Sequence, residues 1–292
     1  MSLSGIIVPL VSPVADDGGV DFDAVVANAG RVLAEGVHGL YLCGGTGDAS
    51  ELAPSDRRRI VVDTLPVVRA AGGSAIVHVG QAPLRDVLAL AEQAMAAGAD
   101  AVASVPLRGP WDQTERYYAE LARVAGRVVV YHMPPAGFQA GYDELARVLD
   151  LDGVIGAKVS DWNLFLLRRL IDGFPGKLFY SGLDENLGLG LLSGAHGSIG
   201  TWANLVPRFY RRVWDAAQAG ETDEVLRLQR QWQRFLGLGW EGDIIAAFEA
   251  LMAARGYAAA CFRVPPPAPA IDAGRLSALL RLLEAVEAPG GE

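Results

Sequence analysis

Residues that build metal centres and disulfide frameworks are scarce in this 292-residue sequence. Its two cysteines, Cys43 and Cys261, and its four histidines show no repeated ligand spacing. A zinc site and a disulfide scaffold are therefore excluded, and a reducing compartment is expected. Excess positive charge is also missing. With 25 Lys and Arg against 34 Asp and Glu, the formal charge is -9 and the isoelectric point is near 5.0. That balance argues against a nucleic-acid or anionic-membrane partner, though a small local cluster can still accept an anionic substrate. The opening "MSLSGIIVPLVSPV" lacks both a basic leader and a long apolar run, so neither signal peptide nor membrane anchor is read there, and a soluble cytoplasmic protein is expected. No long Pro-, Gly- or Ser-rich linker divides the chain, the proline-rich "RVPPPAPA" being short.

Short apolar runs alternate with longer segments of helical period. The runs are "GIIVPLVSP", "GLYLCG", "AIVHVG", "AVASVP", "RVVVYHMP", "VIGAKVS", "KLFYSGL" and "GSIGT". Between them lie segments such as "FDAVVANAGRVLAEGV" and "PLRDVLALAEQAMAAGA", with apolar positions three or four apart and glycine at several ends. Eight strand-like runs alternating with helices predict a parallel sheet, and the length suits an α/β fold of the (β/α)8 TIM-barrel type. The competing doubly wound sheet requires a glycine fingerprint after its first strand. "VPLVSPVADDGG" supplies none, so that layout is disfavoured. We read residues 1–205 as the barrel and 206–292 as C-terminal helices packed on it in one structural unit.

One residue interrupts an apolar strand. In "VIGAKVSDWNL" the two-residue period places Ile155, Ala157 and Val159 on one face, with Gly156, Lys158 and Ser160 on the other. A strand lysine more often sits at a sheet edge with its head in water. Buried without a partner, a lysine tends to give up its proton and leaves a nucleophilic amine.

Chemistry in such a barrel gathers at the C-terminal ends of the strands. The second run ends in "CGGTGD", where glycine N–H groups and the Thr46 hydroxyl can cradle a carboxylate or phosphate, or form an ordinary turn. The fifth carries Tyr131, a proton shuttle if its phenol faces the site and a core residue if not. The sixth carries Lys158 and Ser160. The seventh ends in the acids Asp184 and Glu185, which also suit helix capping, and the eighth leads to Thr201.

Taken together, "GGTGDASEL", "YHMP", "GAKVS" and "GLDENLGLGLLSGAHGSIGTWANLVP" resemble, in order and spacing, the motifs of the dihydrodipicolinate synthase and N-acetylneuraminate lyase family. The resemblance extends from about Gly5 into "CFRVPPP". It implies a (β/α)8 barrel with extra C-terminal helices, usually a homotetramer, and a class I aldolase, lyase or dehydratase that uses no metal and no cofactor. By the same resemblance Lys158 forms a Schiff base with C2 of pyruvate or another 2-keto acid, its iminium serving as electron sink. Tyr131 passes the proton, and Gly45 and Thr46 bind the keto-acid carboxylate. Ser160 is placed beside the lysine as a substrate-binding hydroxyl.

Departures from the family pattern narrow the choice. Ala136 stands where the synthase has an arginine, which disfavours lysine biosynthesis. Asp184, Glu185 and Thr201 stand where N-acetylneuraminate lyase holds sugar hydroxyls, a task that suits carboxylates because each oxygen accepts from a hydroxyl. A relay hydroxyl is missing at Gly45, and the relay tyrosine of the fourth strand end is replaced within Leu107, Arg108 and Gly109. Arg108 and Trp111 either line the entrance or, for Arg108, pair across a subunit interface. Asp48 replaces a family glutamate and is given a structural role. The expected activity is a pyruvate-dependent Schiff-base aldolase of a hydroxylated 2-keto acid. A 2-keto-3-deoxy sugar acid dehydratase using the same lysine and a catalytically silent keto-acid-binding barrel stand as alternatives.

Overall fold

Each apolar run of the sequence is a parallel strand in the structure, a computed structural model that describes residues 3–106, 109–134, 140–241, 243–258 and 271–288. The strands are β1 (Gly5–Pro9), β2 (Gly39–Leu42), β3 (Ser74–His78), β4 (Ala101–Ser104), β5 (Val128–His132), β6 (Val154–Val159), β7 (Leu178–Ser181) and β8 (Gly197–Ser198). They pair in sequence order and close into a barrel, with Gly5 of β1 opposite Gly197 of β8. The helices that connect them are α1 (Phe22–Ala34), α2 (Pro54–Ala70), α3 (Leu84–Ala97), α4 (Trp111–Ala125), α5 (Tyr142–Leu149), α6 (Leu164–Gly173) and α7 (Leu187–Leu192).

Barrel strands are covered on both faces, which is why they read as nearly unbroken apolar runs rather than alternating ones. Inside, Ile7, Tyr41, Ile76, Ala101, Val129 and Tyr180 fill the lumen, with Ile155 and Leu178 packed against them. The Tyr180 hydroxyl donates to the Leu3 carbonyl at 2.7 Å, so the lower lumen is plugged and no pore exists there. Outside, Val8, Leu40, Val102, Val130, Ala157 and Val159 meet the apolar stripes of the helices. Helix ends follow local chemistry: Asp21 and Asn163 cap α1 and α6 by accepting from backbone N–H groups, and Gly98 and Gly126 end α3 and α4 at positive φ.

The expected alternation in β6 fails at one residue. Val128 pairs with Val154, but Val129 pairs with Gly156, so Ile155 is an extra residue on β6. It packs into the lumen instead of sharing the outer face with Ala157 and Val159. Such a bulge shifts the phase of everything after it. Gly156 permits it: its φ is +156°, and a Cβ there would lie 1.8 Å from the Leu178 carbonyl oxygen.

After β8 the chain turns through Thr201–Asn204 into α8 (Pro207–Gln218), which packs against β1 and α7. Next come α9 (Thr222–Gly239), lying on α7 and α8, then α10 (Ile244–Ala254) and α11 (Ala273–Glu287). Trp232 of α9 anchors this layer, stacked on Phe235 at 4.9 Å and donating through Nε1 to the Asp184 carbonyl at 3.0 Å. Phe248 of α10 meets Trp202 edge-to-face at 5.3 Å. Through these contacts the α9–α10 corner is held beside the C-terminal mouth of the barrel. No helix among the described residues is long and apolar enough to cross a membrane.

Candidate active site

Downstream of the bulge, Lys158 faces the lumen near its C-terminal mouth, paired in register with Tyr131 on one side and Tyr180 on the other. The side chain is buried. Its Nζ lies 4.2 Å from the centroid of the Tyr131 ring and 5.0 Å from that of Tyr41. Among the described residues it makes no ion pair. Below it the His78 ring sits 6.1 Å from Tyr41 and 6.2 Å from Tyr131. Burial, together with the charges of Arg57 and Lys158, holds the His78 imidazole well below its usual pKa, so it is neutral at pH 7. The phenol of Tyr41 is pushed well above its usual range, chiefly by burial. The amine therefore packs over the faces of two tyrosine rings.

Above Lys158 opens a cavity of about 440 Å³, lined on its inner side by Gly45, Thr46, Tyr131, Ser160, Gly182 and Thr201. The Thr46 and Thr201 hydroxyls meet at 2.7 Å, joining the loop after β2 to the turn after β8. Ser160 is buried, and its hydroxyl has no protein partner among the described residues. Gly182 packs on the lysine stem: a Cβ there would stand 2.1 Å from Ser160 Oγ and 2.9 Å from Lys158 Cε. The inner end thus offers hydroxyls, with the amine packed directly behind Tyr131 and Gly182 of its lining, a donor set that suits a carboxylate next to a ketone. The Tyr131 hydroxyl donates to Met133 Sδ at 2.9 Å. A thioether is a weak acceptor, so the phenol is readily recruited by a ligand oxygen.

Gly45 faces open space: a Cβ added there would meet nothing within 4 Å, so the place where the family pattern carries a hydroxyl is unfilled. Asp48, in the left-handed region at φ +59°, ends the short turn Gly45–Gly47 and donates its N–H to the Gly45 carbonyl.

The paired acids take different roles. Neither side chain caps the turn Asp184–Asn186 in which they lie. Asp184 instead reaches across to the next strand's loop, accepting from the N–H groups of Thr201 at 3.0 Å and Trp202 at 3.2 Å, and from the Tyr210 hydroxyl. One acceptor position on Oδ2 is left for a ligand. Glu185 accepts from Trp240 Nε1 at 2.8 Å, and its carbonyl receives Gln229 and Gln233.

Desolvation raises the Asp184 carboxyl from 3.8 to about 6, the bonds from Tyr210, Trp202 and Thr201 opposing it only in part. A carboxyl that keeps its proton to higher pH when folded costs stability once ionised. Unfolding free energy is therefore expected to fall by roughly 2 kcal/mol between pH 4 and pH 6 through this group. Denaturant titrations of the wild type and Asp184→Asn across that range read the effect, which the variant should lack. Identical pH slopes in the two proteins would contradict it.

All eight sequence-predicted residues, Gly45, Thr46, Tyr131, Lys158, Ser160, Asp184, Glu185 and Thr201, gather at this end of the barrel. Trp111 begins α4 packed against the core and does not line the cavity. Leu107, Arg108 and Ala136 lie outside the described residues. Sequence reasoning did not single out Tyr41, Gly182, Met133 or the wall formed by Trp162, Leu183, Trp202, Trp240, Ile244, Ile245 and Phe248. The only signal for Gly182 was its place in "SGLDEN", after the seventh strand.

The model of the dihydrodipicolinate synthetase family matches residues 2–283. An uncharacterized DapA-like lyase of Halobacterium salinarum is 30% identical over 272 residues, covering 91% of this chain and 88% of that protein. The N-acetylneuraminate lyase of Rhizobium meliloti is 29% identical over 265 residues, covering 88% and 87%. Among solved structures, CdNal from Clostridium difficile, in complex with mannosamine, superposes with a TM-score of 0.88 at 21% identity, over 97% of this chain and 99% of that one. The last likeness carries the fold, and the sequence matches carry the rest: the chain belongs to the dihydrodipicolinate synthetase family, a family of pyruvate-dependent class I aldolases and lyases.

Proposed function

We propose that this enzyme is a Schiff-base aldolase that cleaves or builds a 2-keto acid, with pyruvate as product or donor. The observation that carries this reading is the placement of Lys158, buried on the lumen side of β6 with its Nζ over the ring of the Tyr131 that lines the cavity. The neutral amine adds to the C2 carbonyl, and loss of water gives an iminium. Once its own phenol proton has passed to solvent water, Tyr131 takes the proton of the C4 hydroxyl as the C3–C4 bond breaks, leaving an aldehyde and an enamine whose electrons come from that bond. Protonation at C3 and hydrolysis return pyruvate and the amine. Thr46, Thr201 and Ser160 hold the carboxylate. No metal and no cofactor is needed in this sequence of steps.

Dehydration of a 2-keto-3-deoxy sugar acid is the second reading. From the same iminium, C3 gives up a proton and the C4 hydroxyl leaves as water. The observation in its favour is the thioether partner of Tyr131, where the aldol route would be served by a hydroxyl relay. Turnover of a panel of 2-keto acids, with pyruvate release followed separately from loss of water, decides between the two. A panel that yields neither product while the fold is intact would point to a silent binding barrel.

We further propose that the chain works as a homotetramer, as the resemblance implies. Light scattering is expected to give a multiple of the 30.9 kDa chain mass, and a concentration-independent monomer would exclude it.

A further inference from the structure

The outer half of the cavity differs in kind from the inner half. Its wall is Trp162, Trp240, Ile244, Ile245 and Phe248, with Met133 and Leu183 towards the floor. Several of these are left open to solvent: Trp162 is 58% exposed, Trp240 51% and Ile245 37%. Large apolar side chains at a cavity mouth are costly to leave wet unless something covers them during function. The two acids at this end are each held in place by bonds to the protein, with only part of their acceptor capacity left over. Asp184 holds the Thr201 turn and Tyr210, and the Glu185 carboxylate accepts from the Trp240 indole, which fixes that ring as part of the wall.

Resting on the Schiff-base reading, we propose that the substrate's tail, the part beyond the carbon that bonds to C3 of pyruvate, is apolar and ring-bearing rather than a polyol. The tail lies between Trp162 and Trp240, against Ile244, Ile245 and Phe248. Tyr131 and Gly182, which touch Lys158, line the inner half of the same cavity, so one molecule spans both halves: its carboxylate at Thr46 and Thr201, its C2 at Lys158, its ring at the tryptophans. Aromatic rings stack on indole faces and displace weakly held water, whereas a polyol would leave hydroxyls against apolar carbon without partners. This departs from the sequence expectation that Asp184 and Glu185 bind sugar hydroxyls, and the reason is the exposed apolar wall beside them.

In the synthetic direction the enamine of pyruvate attacks the carbonyl carbon of an aldehyde. The aldehyde oxygen takes a proton, and hydrolysis of the iminium frees the product. With benzaldehyde the product is 4-hydroxy-2-oxo-4-phenylbutanoate, the sum of the two reactants.

The test compares benzaldehyde with N-acetylmannosamine and erythrose as acceptors for pyruvate. Tryptophan fluorescence is titrated in parallel with 2-oxo-4-phenylbutanoate and with a polyhydroxylated 2-keto acid. We expect kcat/KM to favour benzaldehyde by about tenfold or more, and the phenyl keto acid to quench fluorescence at lower concentration. In the double variant Trp162→Ala, Ile245→Ala the ratio should move towards one. Equal or better use of the polyol aldehydes overturns the proposal. So does a double variant that alters oligomer mass and leaves the acceptor ratio unchanged, since a second copy of the chain would then be what covers these side chains. Borohydride trapping with pyruvate alone keeps the two readings apart. If no adduct forms, the Schiff-base reading fails, while the fluorescence titration still decides whether a ring or a polyol is preferred.

Discussion

Replacing Lys158 with alanine is expected to abolish the borohydride-reducible adduct with pyruvate and to lower turnover on the order of 10^3-fold or more, because the electron sink is lost with the amine. The chain makes the experiment clean, since its only lysines are Lys158 and Lys177. Lys177 precedes β7, and its Nζ donates to the Val154 carbonyl at 2.5 Å, at the opposite end of the barrel from the cavity. Peptide mapping of the wild-type adduct should therefore find Lys158 alone. Lys158→Arg should be as inactive as the alanine variant, because a guanidinium stays protonated and is a poor nucleophile. An adduct on Lys177, or an active arginine variant, would remove the lysine mechanism.

The second large effect is expected for Tyr131→Phe. The substitution keeps the ring against Tyr41, at a centroid distance of 6.2 Å, and beneath the lysine, and it deletes only the hydroxyl. Proton transfer by a positioned side chain contributes about 10²–10⁴-fold, and turnover of a substrate with a C3–C4 bond to break should fall by that much. Pyruvate trapping should persist, since no carbon–carbon bond changes there. Less than about a tenfold loss, or parallel loss of trapping and turnover in a folded protein, would assign Tyr131 to packing.

The strands and most helices were legible because burial on both faces writes itself as apolar runs and burial on one face as a period of three to four. The polar residues at the strand ends were legible for the complementary reason: in a run such as "VIGAKVS" a lysine has no cause to be present unless its environment supplies one. Three features were hidden. The displacement of Ile155 depends on which β5 residue stands opposite, a relation between strands rather than within one. The bonds that fix Asp184 come from Thr201, Trp202 and Tyr210, 17 to 26 residues away, beyond the reach of any local pattern. The apolar outer wall escaped notice because Trp240, Ile244 and Ile245 belong to a segment whose period says only that it is helical. Its position over the mouth is set by Trp232, Phe235 and Phe248, and no local pattern encodes that docking.

The extra residue in β6 makes the chemistry a matter of counting. From Val154 to Lys158 the strand spends five residues where β5, from Val128 to Tyr131, spends four. Because Ile155 is bulged out of the ladder, Gly156, Ala157 and Lys158 meet Val129, Val130 and Tyr131 one for one, and the lysine keeps the rung and the face of the tyrosine. Were the same five residues drawn into a regular ladder, Lys158 would pass beyond Tyr131 and its amine would turn outward among the helices. A change that removes no reactive group and opens no cavity is thus enough to silence the enzyme, because the distance between nucleophile and proton carrier is kept by the parity of a strand.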